Sequence, residues 1–162
     1  MTAQTFSTVD STLAFYSGPA ASLDQASALL PAGAYVTFRT YGGNSALHLN
    51  WHMDRLLESA ALEGVQVALD RRRVRLLIAE ALDRLRFQES RVRLTLAYSP
   101  PYPLYVTVEE FQTIAPAAYE HGVACALASR SLRRAAPRAK STTFIAPAVA
   151  ARAAKALSLI HI

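Results

Sequence analysis

The residues that could supply a nucleophilic amine in this 162-residue chain are few. Of 17 basic residues only Lys140 and Lys155 are lysines, and the others are arginines, which stay protonated and cannot act as nucleophiles. Lys140 follows a proline-containing segment and precedes Ser/Thr residues and the apolar pair Phe144 and Ile145. Partial burial there would favour the neutral amine that Schiff-base chemistry requires. Taken alone, the position is more typical of an ordinary loop lysine.

Arg55 is the second candidate, because it follows the predicted start of a helix by about one turn. Asn50 can cap that helix, which is predicted to end at Gly64. An arginine near a helix N-terminus can give a phosphate a bidentate pair of donors. Taken alone, a surface arginine is again the commoner explanation.

Metal and thiol chemistry have weaker support. His48 and His52 have the spacing of a zinc-binding helix face, but no glutamate completes an HExxH motif and Cys125 is remote in sequence. We therefore predict no metal site. Cys125 lies among small apolar residues, which is typical of a packed thiol.

A run of arginines could mark a nucleic-acid surface, since the net charge is +5 and the pI is about 9.7. The run from Arg71 to Arg75 is followed by Glu80 and Asp83, and no aromatic residues are interleaved with it. We interpret it as a solvated helix face and predict no nucleic-acid partner. It is also the only support for an alternative function as a non-catalytic basic binding module.

The composition indicates a folded, soluble protein. Hydrophobic residues make up 52% and charged residues 18%, with a mean hydropathy of +0.16, which excludes intrinsic disorder. One cysteine excludes an intrachain disulfide. Because we find neither a membrane-length apolar window nor a signal-peptide pattern, we expect a cytoplasmic protein without a membrane partner.

The elements that must position these residues follow from hydrophobic periodicity, which predicts an α+β domain with a mostly antiparallel sheet and two main helices. Residues 1–30 predict an irregular segment with a short helix near Asp24 to Leu30. The predicted β-hairpin joins Gly33–Tyr41 to Ser45–Leu49, a second helix starts at the cap Asp70, and the further strands are Arg91–Tyr98, Leu104–Phe111 and His121–Ser129. After these strands, residues 130–139 predict a linker, and an Ala-rich helix follows from about Ala146 to Ala156.

Four motifs occur in an order that is more informative than any one of them. They are Gly33–Tyr41 (GAYVTFRTY), His52-x-x-Arg55-Leu56 with Ser59-Ala60, Arg91-Val92-Arg93-Leu94, and Arg134-Ala135-Ala136-Pro137 shortly before Lys140. Together they resemble the landmarks of the class IV (fold type IV) pyridoxal-phosphate enzymes. That family includes branched-chain aminotransferases, D-amino acid aminotransferases and aminodeoxychorismate lyases. The resemblance covers residues 33–156.

The resemblance implies a role for each matching residue. Arg55 would bind the phosphate of pyridoxal 5'-phosphate, while Lys140 would bind the cofactor covalently and move the α-proton as general acid and base. Tyr35 would lie in the substrate pocket and Arg93 would recognise a substrate carboxylate. Ile145 stands where branched-chain enzymes have a tyrosine, as an aliphatic residue does in the lyases and D-specific members.

The expected function is therefore that of an aminotransferase moving an amino group between an amino acid and an oxo acid. An aminodeoxychorismate lyase-type enzyme is the alternative within the family. Relatives are commonly homodimers, so we expect a homodimer for the full-length enzyme.

The resemblance also implies how the chain divides. Residues 1–129 would form a small N-terminal domain, 130–139 the interdomain linker, and 140–156 the start of a truncated cofactor domain. The family places an acidic partner of the pyridinium nitrogen some thirty-odd residues after the lysine, so we expect this fragment to be inactive. Residues 157–162 (LSLIHI) resemble a translated sequencing adapter, and we interpret them as a tail of that origin.

Overall fold

A computed structural model of the chain describes residues 2–9, 12–123, 125–126, 137–145, 147 and 160–161. Its strands are β1 (Ala3–Val9), β2 (Thr12–Ala20), β3 (Gly33–Tyr41), β4 (Ser45–Ala46), β5 (Ser90–Ala97), β6 (Leu104–Glu110), β7 (Cys125–Ala126) and β8 (Ile160–His161). Its α-helices are α1 (Leu23–Ala28), α2 (Leu49–Leu62), α3 (Arg71–Leu85) and α4 (Pro116–His121), and a 3-10 turn covers Thr142–Phe144.

Six strands form an antiparallel sheet in the order β2-β1-β6-β5-β3-β4. Strands β3, β5 and β6 lie side by side near its middle and match the predicted strands closely. The α+β architecture predicted from periodicity is confirmed. Within the described ranges, no helix is both long enough and apolar enough to cross a membrane.

The sheet has one apolar and one polar face, because alternate side chains of a strand point to opposite sides. The apolar face includes Val36, Phe38 and Leu94, which pack with α2 and α3 into the main core. The neighbouring positions Thr37 on β3, Arg93 on β5 and Thr107 on β6 share the other face. The short helix α1 packs on this polar face through Leu23 and Ala26.

The two long helices begin differently. Helix α3 begins after Asp70, whose carboxylate accepts the Arg73 N–H at 3.0 Å, as predicted for an N-cap. Helix α2 begins after His48, which is in the left-handed region with φ 51°. The predictions that Asn50 caps α2 and that His48 lies on a strand are wrong, because the hairpin strand β4 ends at Ala46 and the Asn50 side chain accepts a hydrogen bond from Arg75 instead.

The N-terminal region contains the largest difference from the sequence prediction. The expected irregular segment instead forms strands β1 and β2, whereas the short helix after it is confirmed as α1. Strand β1 pairs with β6 and buries Phe6 on one face and Thr5 on the other. The Thr5 hydroxyl is satisfied by a hydrogen bond to that of Thr107 at 3.1 Å. Because both faces are covered, the strand lacks the apolar alternation that would have predicted it.

The predicted strand from His121 to Ser129 is largely wrong where the structure describes it. Residues Pro116–His121 form α4, which has proline at its first position and ends at Gly122 with φ 73°. Only Cys125–Ala126 is a strand, paired in parallel with Ile160–His161. Most of the predicted linker and nearly all of the predicted Ala-rich helix lie outside the described residues.

Candidate functional site

A cavity of about 400 Å³ brings the four predicted site residues together. Its lining residues are Tyr35, Val36, Thr37, His52, Arg55, Arg91, Arg93 and Lys140. The side chains come from four places in the fold, namely β3, β5, α2 and the segment before the 3-10 turn. Three guanidinium groups and one amine make the donor set cationic, which suits a ligand bearing phosphate or carboxylate groups.

The main chain of Lys140 is held on both sides. Its N–H donates to the Ser59 hydroxyl of α2 at 3.2 Å, and its carbonyl accepts the Tyr35 N–H of β3 at 2.7 Å. The next residue, Ser141, forms an isolated bridge with Ala34. These contacts anchor the lysine backbone to a helix and a strand of the domain.

Gly33 allows this segment to approach the sheet. Its N–H donates to the Thr142 hydroxyl at 2.9 Å. A Cβ at this position would lie 2.3 Å from the carbonyl oxygen of Leu96 on the neighbouring strand, which is closer than real contacts permit. A larger residue would therefore displace the start of β3 and, with it, the support for Lys140.

Arg55 lies on the second turn of α2 and reaches across to the segment before Lys140. Its guanidinium donates to Glu58 Oε2 at 2.9 Å and to the carbonyl oxygen of Arg138 at 2.5 Å. Glu58 also accepts from Arg138 at 3.3 Å. Arg55 is thus partly exposed beside the cavity with a carboxylate as its present partner.

Arg93 is buried and extensively bonded. Its Nε donates to Thr37 at 3.0 Å, Nη1 donates to Ser27 at 2.8 Å and to the Leu23 carbonyl at 3.2 Å, and Nη2 pairs with Asp24 at 3.0 Å. Burial lowers the pKa of Arg93 to about 10, so the group remains protonated near neutral pH. Arg93 therefore fastens α1 to the polar face of the sheet.

Tyr35 on β3 and Arg91 on β5 lie near Arg93 on the polar face of the sheet. The Arg93 guanidinium lies 4.8 Å from the centre of the Tyr35 ring, in cation–π geometry. Arg91 pairs with Glu109 at 3.1 Å, and its side chain is 44% exposed against 4% for Arg93. Arg91 is thus the more accessible of the two strand arginines.

Sequence reasoning did not assign Arg91 or His52 to this site. Arg91 precedes Arg93 by two residues, so the period-two pattern of β5 places both on one face and could have found it. His52 lies on the cavity wall with its ring 5.2 Å from that of Phe38. Burial lowers the pKa of His52 from its usual 6.5, and His48 lowers it further.

The other sequence candidates lie elsewhere. His48 stacks on Trp51 with ring centres 4.3 Å apart, and the described part of the chain holds no cluster of three potential metal ligands. The arginine run on α3 forms a solvated face as predicted, with Arg71 paired to Asp54. Nearer the end of the same helix, Arg84 pairs with Glu80. The side chain of Cys125 lies outside the described residues.

Comparison with known proteins adds independent findings. The sequence profile of the family described as Amino-transferase class IV matches residues 33–159. No curated protein matches the chain.

Several solved structures share the fold. One is a hypothetical aminotransferase from Mycobacterium tuberculosis in its PLP-bound form, with 22% identity, a TM-score of 0.66, and coverage of 99% of this chain and 62% of that one. The form of that protein with alpha-ketoglutarate and PMP bound has 21% identity and a TM-score of 0.68, and the match covers 98% of this chain and 62% of that one. The fold IV-transaminase CpuTA1 from Curtobacterium pusillum has 20% identity and a TM-score of 0.65, and the match covers 99% of this chain and 63% of that one.

This chain therefore spans a little over three fifths of the length of those structures. At such identities the likeness establishes the fold, and the family assignment comes from the profile. Since that profile spans most of the residues, including β3 and the segment next to Lys140 that bridges to it, the chain belongs to the class IV aminotransferase family.

Proposed function

We propose that this chain is the N-terminal portion of an aminotransferase that moves an amino group between an amino acid and an oxo acid with pyridoxal 5'-phosphate as cofactor. The observation that supports this most directly is the single cavity lined by Lys140, Arg55, Tyr35 and Arg93. Its donor set fits the cofactor, since a primary amine suits an aldehyde and arginine suits a phosphate. When bound, the cofactor supplies an electron sink for bond cleavage at the α-carbon of the substrate.

Lys140 is the proposed catalytic residue. The hydrogen bonds of its backbone fix the point from which the side chain extends, so Nζ would be placed to bind the cofactor and afterwards to move a proton at the substrate α-carbon. A lysine on a freely moving loop would lose this orientation, and with it part of the rate.

Arg55 is the proposed phosphate ligand. Half-exposed ion pairs such as Arg55–Glu58 contribute little free energy, so a phosphate dianion can replace the carboxylate at small cost. The planar guanidinium then offers two parallel N–H donors to the phosphate oxygens.

Tyr35 and Arg93 are the proposed substrate-side residues. The contacts within the described residues use four of the five N–H groups of Arg93, so a substrate carboxylate would receive one direct hydrogen bond and the field of the buried charge. Arg91 can supply a second, more accessible donor after exchanging Glu109. The Tyr35 ring, held against Arg93, forms part of the wall.

A lyase-type activity on aminodeoxychorismate is the second candidate within the same family. The observation in its favour is Ile145, which is buried at the place where branched-chain members have a tyrosine. Both candidates require the same lysine and the same phosphate ligand. A homodimer remains our expectation for the full-length enzyme.

Borohydride reduction tests the proposal. The full-length enzyme is saturated with pyridoxal phosphate, reduced and digested, and its peptides are analysed by mass spectrometry. We expect a pyridoxyl group on Lys140 and none on Lys155, which serves as the internal control. Absence of label, a label on Lys155 alone, or undiminished labelling of the Lys140→Ala variant would contradict the proposal.

A further inference from the structure

Ser59 connects the two residues on which the proposed function depends. It lies on α2 one turn after Arg55, and it is fully buried. Its hydroxyl donates to the Arg55 carbonyl at 2.8 Å and accepts the Lys140 N–H at 3.2 Å. A single oxygen atom thus links the backbones of Arg55 and Lys140, although 85 positions separate these residues in sequence.

Helix formation does not explain a serine at this position. Alanine has the higher helix propensity and carries no polar group to bury. The bond from Ser59 to the carbonyl one turn earlier satisfies the hydroxyl proton but adds nothing to the helix. The other half of its hydrogen-bonding capacity serves Lys140, which belongs to a different part of the chain.

The backbone of Lys140 is held between β3 and α2 by two hydrogen bonds. The Lys140 carbonyl is held by the Tyr35 N–H, while its N–H is held by Ser59. Without Ser59, the Lys140 segment would keep its contacts with β3 through Tyr35 and Ala34, but it would lose its buried hydrogen bond to α2 and could shift relative to that helix. The Lys140 amine would then move relative to the Arg55 guanidinium, which is fixed on α2.

We propose that Ser59 is a positioning residue that sets the separation between the Lys140 amine and the Arg55 guanidinium. The inference rests on the proposed function. The cofactor is a rigid ring that carries its aldehyde and its phosphate on separate arms, so both protein groups must lie at a matching separation. An error of about 1 Å in such an arrangement costs binding and rate.

The test compares Ser59→Ala with a matched control. Thr40→Val also removes a fully buried hydroxyl, one that accepts the Ser90 N–H at 2.8 Å, but Thr40 does not line the cavity. Each variant therefore leaves one backbone N–H without its side-chain acceptor. Comparing them separates positioning from a general loss of stability.

We expect Ser59→Ala to bind pyridoxal phosphate about tenfold more weakly than wild type, because the net contribution of one hydrogen bond corresponds to a change of that size. Thr40→Val should bind the cofactor with wild-type affinity. Affinity for inorganic phosphate alone should stay unchanged in Ser59→Ala, because Arg55 remains in place. Ser59→Thr should restore cofactor affinity, since a threonine hydroxyl can also bond the carbonyl one turn earlier. If Ser59→Ala does not fold, Ser59→Cys keeps the volume, weakens the acceptor and should shift the affinity in the same direction.

The outcomes separate this inference from the proposed function. Wild-type protein labelled on Lys140, with Ser59→Ala binding the cofactor equally tightly, overturns the inference alone. Equal losses in Ser59→Ala and Thr40→Val, or a matching loss of phosphate affinity, also overturn it. Failure to label Lys140 in the wild type overturns the proposed function and this inference together.

Discussion

Arg55 and Arg84 present similar ion pairs in different places. Arg55 pairs with Glu58 at side-chain exposures of 37% and 45%, and Arg84 pairs with Glu80 at 37% and 46%. Only Arg55 borders the cavity that contains Lys140. Since the two pairs have matching exposure, Arg84 is a control for the loss of a half-exposed arginine ion pair outside the cavity.

In the full-length enzyme, Arg55→Ala is expected to weaken pyridoxal-phosphate binding about tenfold to hundredfold, because a charge-assisted hydrogen bond contributes on the order of 1.5–3 kcal/mol. Arg84→Ala should leave the dissociation constant unchanged. Titration of the cofactor absorbance measures both. An unchanged constant for Arg55→Ala would identify Arg55 as an ordinary surface residue.

His52 should make stability depend on pH. Its pKa is lowered in the folded state, first by burial and then by His48, so below its usual value of 6.5 the unfolded chain binds more protons than the folded one. The free energy of unfolding should therefore fall as pH drops below about 6.5, and His52→Gln should reduce that fall.

Denaturant titrations between pH 5 and 7.5 measure this dependence. His121→Gln, which replaces an exposed histidine on α4, is the control variant. A wild-type slope in His52→Gln would show that another group causes the dependence.

Helix α1 is attached to the sheet by a buried ion pair as well as by the apolar packing of Leu23 and Ala26. Asp24 and Arg93 are 17% and 4% exposed, whereas Asp54 and Arg71 form an exposed pair at 54% and 41%. The N-terminal residue of α1 adds a further contact, because the Leu23 N–H donates to Glu109 at 2.8 Å. The polar face of the sheet thus holds this helix by hydrogen bonds and charge.

Asp24→Asn should lower the free energy of unfolding by roughly 3 kcal/mol, because it leaves the buried Arg93 charge without its hydrogen-bonded counter-ion. This loss is at the low end of what breaking a buried ion pair costs, because Arg93 keeps its hydrogen bonds to Thr37 and Ser27. Asp54→Asn should cost at most about 1 kcal/mol. Urea denaturation of both variants measures the difference, and equal losses would refute the assigned role of Asp24.

At the scale of the whole molecule, the solved structures that share this fold are longer than this chain, which covers 62% and 63% of two of them. We propose that residues 157–162 are adapter-derived and that the natural sequence continues differently after Ala156. The acidic partner expected for the cofactor ring would then lie in that continuation, and the present chain would be a poor catalyst by itself.

Re-amplification of the gene from its source DNA tests this proposal. The reading frame should run on for well over a hundred residues past Ala156, and a codon for a carboxylate residue should occur some thirty-odd positions after Lys140. A natural stop codon directly after Ile162 would refute the adapter interpretation.

Local patterns in the sequence were sufficient to locate several elements, including strands whose stability depends on pairing with distant strands. Helix α3 was predicted from its Asp70 cap and its apolar spacing, and strands β3, β5 and β6 from their period of two. The family was also recognisable, because its motifs occur in order along the chain. Each of these signals needs only residues close together in sequence.

Tertiary structure alone decided which residues meet. Strand β1 is held by pairing with β6 about a hundred residues away, Arg93 is engaged by Asp24 across 69 positions, and Ser59 reaches Lys140 across 81. Hydrogen bonds and ion pairs between distant segments leave no periodic trace in the sequence, because their energy depends on the distance between atoms and not on their separation along the chain. For that reason the sequence named Lys140 and Arg55 as candidates, whereas the bond that holds them in register became visible only in the folded chain.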